Sequence, residues 1–536
     1  VEAGRYDATN AMVWTFTGQD SCYVAFFPAN GGPADSTQVF VLGFGELLHR
    51  KTSIKGILDD STFTASCSSS SNQGELSGWF WRNDSLYVKR AGGGSPSVAG
   101  NHFGYIDKPL TILGRNWTVS TLTVRYAGES RSDNVATETA YKNANDQGCG
   151  TGCQAGKQNP SLNGHLITLG SNSVAGSNAS GAVLYNLRLY GSNAQLVYGP
   201  RWANGVQSDT ITVANCVFDG LRVGDYLYSA GKCRPEEQVN ATTITASNVF
   251  VYGCTINSVF NGISSNGDAV PDTSGASYCE YSYNTFRHLA DDTFEFDFSA
   301  SQNTLILRNS LQRVLSGYSA TPAKYGPVYI LFNTLATHGR GFKAGGLNIA
   351  PTYWYNDTFY PDSLPPLAVT STSTDYVGGG GFQHNYFRNC IFAARATSPA
   401  IPVVGVSAAD SARMGTNEFN YDVYYLNTGS NIATWAGTNF TLGTLRSTFG
   451  WEKNGVNTSF QGSQRFANAA GYNFRLGAGG ANAKDQAVRI AGVNAAFGLN
   501  RYVIGPAGAP ARPDRGAYEF SNRKHRPWWR RWYQHS

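Results

Sequence analysis

Short runs in which apolar and polar residues alternate recur along this chain, with no three-to-four helical spacing between them. "LYNLRLYG" at 184–191 is followed by "VANCVFDGL" at 213–221, "VYGCTINSVFNG" at 251–262, "YSYNTFRHL" at 281–289, "LRNSLQRVL" at 307–315, "LFNTLATHG" at 331–339 and "FRNCIFAA" at 387–394. Each holds an Asn, once a Gly, in an apolar setting, and in all but the first the next residue is small. With Asn186, Asn215, Gly253, Asn284, Asn309, Asn333 and Asn389 as anchors, the spacings are 29, 38, 31, 25, 24 and 56 residues. The two shortest set the unit, and the longer ones read as the same unit with a loop bulging from it. A unit of this length built from short strands predicts one turn of a parallel β-solenoid. The anchor Asn is expected at a turn, bonded to backbone and to the copies above and below. The next position, held by Cys216, Cys254, Thr285, Ser310, Thr334 and Cys390, is expected to form an inward column of small side chains, its cysteines stacked thiols.

Composition agrees with an all-β chain: 61 glycines supply turns, and 13% aromatic residues supply large core side chains. At 536 residues, burying a core is not a difficulty. The phrases "GWFWRNDSLYVKR" and "LTILGRNWTVSTLTVRYAG" before the repeats, "ADDTFEFD" and "YGPVYILFNTL" within them, and "YNFRLGAGG" through "RPDRGAYEF" after them resemble secreted right-handed parallel β-helix proteins of the pectate-lyase-like superfamily. The resemblance runs from about residue 60 to 520. It implies a right-handed parallel β-helix with a capping segment before the first rung and polysaccharide binding on the outer face. The expected layout is an N-terminal β cap or small sandwich over 1–75, the β-helix over 76–420, irregular C-terminal rungs and a cap over 421–521, and a tail over 522–536.

The chain opens at Val1 without a methionine, and no run approaches the roughly 18 to 20 apolar residues of a membrane-spanning helix. A removed signal peptide and an extracellular location are therefore expected. Asn83, Asn116, Asn178, Asn240, Asn356, Asn439 and Asn457 each begin an Asn-x-Ser/Thr sequon and are candidate glycosylation sites. Of nine cysteines, Cys149 and Cys153 are spaced for a local disulfide; no second Cys/His pair stands near them to suggest a metal centre.

The formal charge of +5 is accounted for by the tail, where Arg523, Lys524, Arg526, Arg530 and Arg531 occur with no acid. Interleaved with Trp528, Trp529 and Trp532, these arginines make a candidate assembly surface, since Trp and Arg predominate at binding hot spots. Self-association or contact with other surface proteins is the expected use. A secreted chain argues against nucleic acid, and the tail lacks the periodicity of an interfacial helix.

"LADDTFEFDFS" at 289–299 carries the densest acids of the chain. Phe294, Phe296 and Phe298 alternate with Thr293, Glu295 and Asp297, so rings are predicted inside and acids outside, Glu295 and Asp297 roughly 7 Å apart. Asp291, Asp292 and Glu295 are candidate catalytic acids for glycoside cleavage or ligands for Ca²⁺, the one candidate cofactor. The same alternation also describes an ordinary solvated strand face. Counting seven from each anchor aligns Asp291, Ser316 and Arg340, with Arg222 two rungs earlier. Arg340, Lys343 and His338 in "THGRGFKAGG" are candidate substrate-binding residues. That segment is similar to the His-Gly and Arg-x-x-Lys elements of polygalacturonases, although it fuses them and the Asn-Thr-Asp element is missing.

Two functions are compatible with these features. The first is a structural or adhesive subunit of an extracellular fibre or surface layer; the alternative is a carbohydrate-active enzyme, a polysaccharide lyase or glycoside hydrolase, acting on an acidic polysaccharide.

Overall fold

In the computed structural model, the alternating runs become the three strands of each rung in a right-handed parallel β-helix. The structure describes parts of 110–127, then 165–170, 179–199, 208–220, 239–265, 277–297, 302–320, 326–344, 351–361, 377–393, 404–406, 416–459, 465–493 and 515–517 with short gaps, and the backbone of six strands before residue 91. One face is an eleven-stranded sheet that includes Trp117–Ser120, Ser247–Tyr252, Thr352–Tyr355 and Glu418–Asn420. The other two faces make up a 24-stranded sheet. They merge because β2 (Thr285–Glu295) and β3 (Ser310–Ala320) run unbroken from the second face to the third, where β1 (Asn261–Ser264) and β4 (Phe342–Ala344) flank them.

The corner between the first two faces is a column of left-handed residues: Asn186, Asn215, Gly253, Tyr283, Arg308, Phe332, Asn356, Asn389 and Tyr421, with φ from 52° to 66°. Three anchors of the sequence alignment do not belong to it. Asn284, Asn309 and Asn333 stand one residue later, in the inward column that begins with Cys216 and Cys254 and continues through Asp357, Cys390 and Asp422. Thr285, Ser310 and Thr334 are displaced to the following strand. The hydrogen bonds fix this register. Asn284 Oδ1 accepts Cys254 N at 2.9 Å, Asn309 Oδ1 accepts Asn284 N at 2.9 Å, Asn333 Oδ1 accepts Asn309 N at 2.8 Å, and Asp357 Oδ1 accepts Asn333 N at 2.7 Å. The long interval before Asn389 contains a rung turning at Asn356 and Asp357. Cys216, Cys254, Cys279 and Cys390 are buried free thiols.

Inside the coil, aromatic rings stack from rung to rung. Trp354 lies 5.4 Å from Phe387, Phe387 lies 4.5 Å from Phe419, and Phe359 lies 4.7 Å from Phe392, each pair nearly parallel. Each fully buried ring contributes roughly 1.5 to 3 kcal/mol by leaving water. The helix α1 (Leu442–Phe449) buries Leu442 and Leu445 against the last rungs. Thr441 and Thr444 cap its start reciprocally, and Gly450 at φ 68° ends it.

At the other end, Val24–Ala25, Val39–Leu42 and Met12–Trp14 pair in parallel with Trp117–Ser120, Leu122–Ala127 and Leu110–Ile112. These strands of the expected cap region thus continue the parallel pairing of the coil, whereas Leu76–Arg82 and Ser85–Arg90 form an antiparallel hairpin. The tail residues Arg526, Trp528, Trp529, Arg530, Arg531 and Trp532 lie outside the described residues, as do Cys149, Cys153, Asn83 and Asn178. Among the other sequons, Asn439 and Asn457 are exposed, Asn116 and Asn240 are half-buried, and Asn356 is 0% exposed at the turn column. A glycan on Asn356 is excluded from the folded chain, because its side chain is enclosed at the corner.

Candidate functional site: an acidic centre on the third face

Phe294 and Phe296 point into the core, Phe294 packing edge-on to Phe286 at 5.0 Å. The acids between and before them are not solvated. Asp291 and Asp292 are each 1% exposed and Glu295 is 8% exposed, so the ordinary exposed strand face does not describe them. Asp297 is half-buried.

The alignment of Asp291 with Ser316 is off by one. Ser316 pairs with Asp292, because the register of β2 against β3 shifts between Leu289 and Asp292. The connection that precedes β4 brings Arg340 beside Ser316, and Arg340 accepts Gly317 N at 2.9 Å through its carbonyl. Beyond the shift, Glu295 pairs with Ser319, and Ser319 with Lys343.

Lys343 lies two strands from Glu295 and places its Nζ 2.7 Å from Asp292 Oδ2. Its side chain is 26% exposed against 1% for Asp292, so the pair spans from interior to surface. Burial alone would lower the Lys343 pKa, but Asp292, Asp291 and Asp297 outweigh it and hold the ammonium charged far into alkaline pH. Carboxylate oxygens of Asp292, Glu295 and Asp297 lie within 4.8 Å of one another. Strict alternation would set Asp292 and Glu295 on opposite sides; next to the register shift they meet instead.

Three further side chains complete the centre. Asn261 on β1 donates to Glu295 Oε2 at 2.9 Å and accepts Asp292 N at 3.1 Å. Ser319 donates to Asp297 Oδ1 at 2.8 Å, and Thr293 donates to the Ser316 carbonyl at 2.8 Å. Asp292 Oδ1 is buried without a hydrogen-bond partner among the described residues. His338 and Arg340, both half-buried, lie between the strand Thr334–Thr337 and Lys343 on β4. Asn261 was legible in principle: it stands in "VFNG", inside a repeat already aligned, but no acid or base drew attention to it.

No family model matches the sequence, and no curated protein matches it. Solved structures similar to the chain include pectate lyase Pel9A, at 12% identity and a TM-score of 0.38, over 78% of this chain and 84% of that one. The tailspike protein of Escherichia coli bacteriophage HK620 in complex with a pentasaccharide is similar at 10% identity and a TM-score of 0.35, over 66% of this chain and 58% of that one. The catalytic unit of a thermostable GH87 α-1,3-glucanase from Streptomyces thermodiastaticus is similar at 13% identity and a TM-score of 0.34, over 66% of this chain and 56% of that one.

Proposed function

We propose that the chain is a carbohydrate-active enzyme acting on an acidic polysaccharide, with Asp292, Glu295, Asp297 and Lys343 as its centre. The observation that carries this reading is Asp292. It is fully buried, gives one oxygen to Lys343, and has the other without a hydrogen-bond partner among the described residues, beside two more carboxylates. A buried carboxylate oxygen without a partner is destabilising, and a ligand that supplies the missing contact would account for it.

The donor set fits a hard divalent cation. Three carboxylates facing one ammonium carry excess negative charge, and Ca²⁺ takes six to eight oxygens, so substrate and water oxygens would complete its shell. Asp292, Glu295 and Asp297 would hold such a cation, and the chemistry it would supply there is polarisation of a substrate carboxylate. The remaining roles fall to side chains: Lys343 Nζ, held charged by Asp292, stabilises negative charge that develops on the substrate, and Arg340 offers a guanidinium to further acidic units.

The test is digestion of uronic-acid polysaccharides, with and without added Ca²⁺, by the wild type and by Asp292→Asn, Glu295→Gln and Lys343→Met. New chain ends from the wild type, reduced at least about a hundredfold in each variant, support the assignment. An intact polymer with every uronate substrate, from a folded wild type, removes it.

A further inference from the structure

Asn261 touches both halves of the acidic centre. Its Oδ1 accepts the N–H of Asp292 at 3.1 Å, and its Nδ2 donates to Glu295 Oε2 at 2.9 Å. With its two ends committed, the amide has one orientation: exchanging O and N would set a donor against a donor and an oxygen against a carboxylate. The side chain is 5% exposed, so neither bond competes with bulk water.

The position matters as much as the bonds. Ala290 N and Asp291 N donate to the consecutive carbonyls of Val259 and Phe260, at the point where β2 loses regular register with β3. At Asp292 the acceptor is the side-chain oxygen of Asn261, and regular pairing with β1 is in place by Ile263 and Phe294. A side-chain amide thus serves as the acceptor where the chain enters the third face. The same amide holds the carboxylate three residues further on.

We infer that Asn261 is the positioning residue of the acidic centre: from the neighbouring rung it sets the relation of Asp292 to Glu295 and, through Asp292, the seat of Lys343. Only the kinetic arm of this inference rests on the enzymatic reading. Asn261→Ala removes both bonds. Asn261→Asp keeps an acceptor for the Asp292 amide but turns a carboxylate toward Glu295. Asn261→Ser serves as a smaller polar replacement if the Ala variant does not fold.

The direct test is lysine acylation of the full chain with N-hydroxysuccinimidyl acetate, followed residue by residue by mass spectrometry. Lys343 is expected to react slowly in the wild type and about tenfold or more faster in the Asn261 variants, with the other lysines unchanged. Asp357→Asn, which alters the coil interior away from the centre, should leave Lys343 slow. In the cleavage assay, kcat should fall about 10- to 100-fold with KM nearly constant. Unchanged Lys343 labelling in folded Asn261 variants overturns the inference whether or not the wild type cleaves anything. Faster labelling together with an inert wild type upholds the positioning role and removes the enzymatic reading.

Discussion

Asn333 gives its backbone N–H and its side-chain N–H to one carboxylate oxygen of Asp357, at 2.7 and 3.0 Å, while the acid's other oxygen is buried without a hydrogen-bond partner among the described residues. Asp357 thereby continues an asparagine ladder with a carboxyl group. Burial pushes its pKa well above the ordinary range, more than the Asn333 bonds lower it. Further along the column, Asp422 is raised by burial and by Glu452, whose carboxyl it hydrogen-bonds. Glu452 is itself raised by burial, although Asp422, Tyr424 and Arg515 act in the opposite sense. Cys390 lies between Asp357 and Asp422, and its thiol is raised by burial and by both acids.

The sign of the pH dependence follows. Acids whose pKa is higher in the folded chain than in the unfolded chain bind protons on folding, so their contribution is full below about pH 4 and is lost as pH rises through the folded values. The melting temperature should therefore fall as pH is raised above about 4. Asp357→Asn, which preserves an acceptor for Asn333, should make that decline shallower by up to about 1.4 kcal/mol per pH unit within the window where Asp357 titrates. Parallel melting curves for wild type and variant across the whole range would mean that Asp357 is ionised in the fold.

The two partners of the buried ion pair should not be equivalent in stability. Lys343→Met leaves Asp292 buried and unpaired, which costs about 3 to 5 kcal/mol. Asp292→Asn leaves a partly exposed ammonium that water can solvate, so the loss should be smaller. Urea denaturation measures both, and a larger loss for Asp292→Asn would contradict the burial assigned to the pair.

The corner column predicts a steric effect at Gly253. Its φ is 66°, and a Cβ there would stand 2.6 Å from Asn215 Oδ1 in the adjoining rung. Gly253→Ala should destabilise the chain by about 1 to 3 kcal/mol. Equal stability by denaturant titration would show that the corner tolerates a side chain.

The described thiols should be inert in the native state. Burial pushes Cys279 up to about 11 and raises Cys254 and Cys390 well above the ordinary thiol range. Iodoacetamide should leave Cys216, Cys254, Cys279 and Cys390 unmodified until the chain is unfolded. Rapid native alkylation of any of them would place that rung differently.

The alternation and the repeat made the coil legible, because period-two burial and a short recurring unit admit few other folds. The register was less so, for a physical reason. Asn suits both a left-handed corner, as at Asn186, Asn215 and Asn389, and an inward ladder, as at Asn284, Asn309 and Asn333. At the latter rungs Tyr283, Arg308 and Phe332 take the left-handed conformation, which their residue types do not announce. The acids of the third face were visible as a cluster, but the shift between Leu289 and Asp292 was not, since no glycine or proline marks it. That shift decides whether Asp291 or Asp292 meets Lys343.

The measurement that bears most directly on the central claim is release of new chain ends from uronic-acid polysaccharides by the wild type and by Asp292→Asn, with melting curves run on both. The account predicts cleavage by the wild type and its near-complete loss in a variant that remains folded. Equal cleavage by the two proteins, or none by either with all substrates, would contradict an active centre built on Asp292.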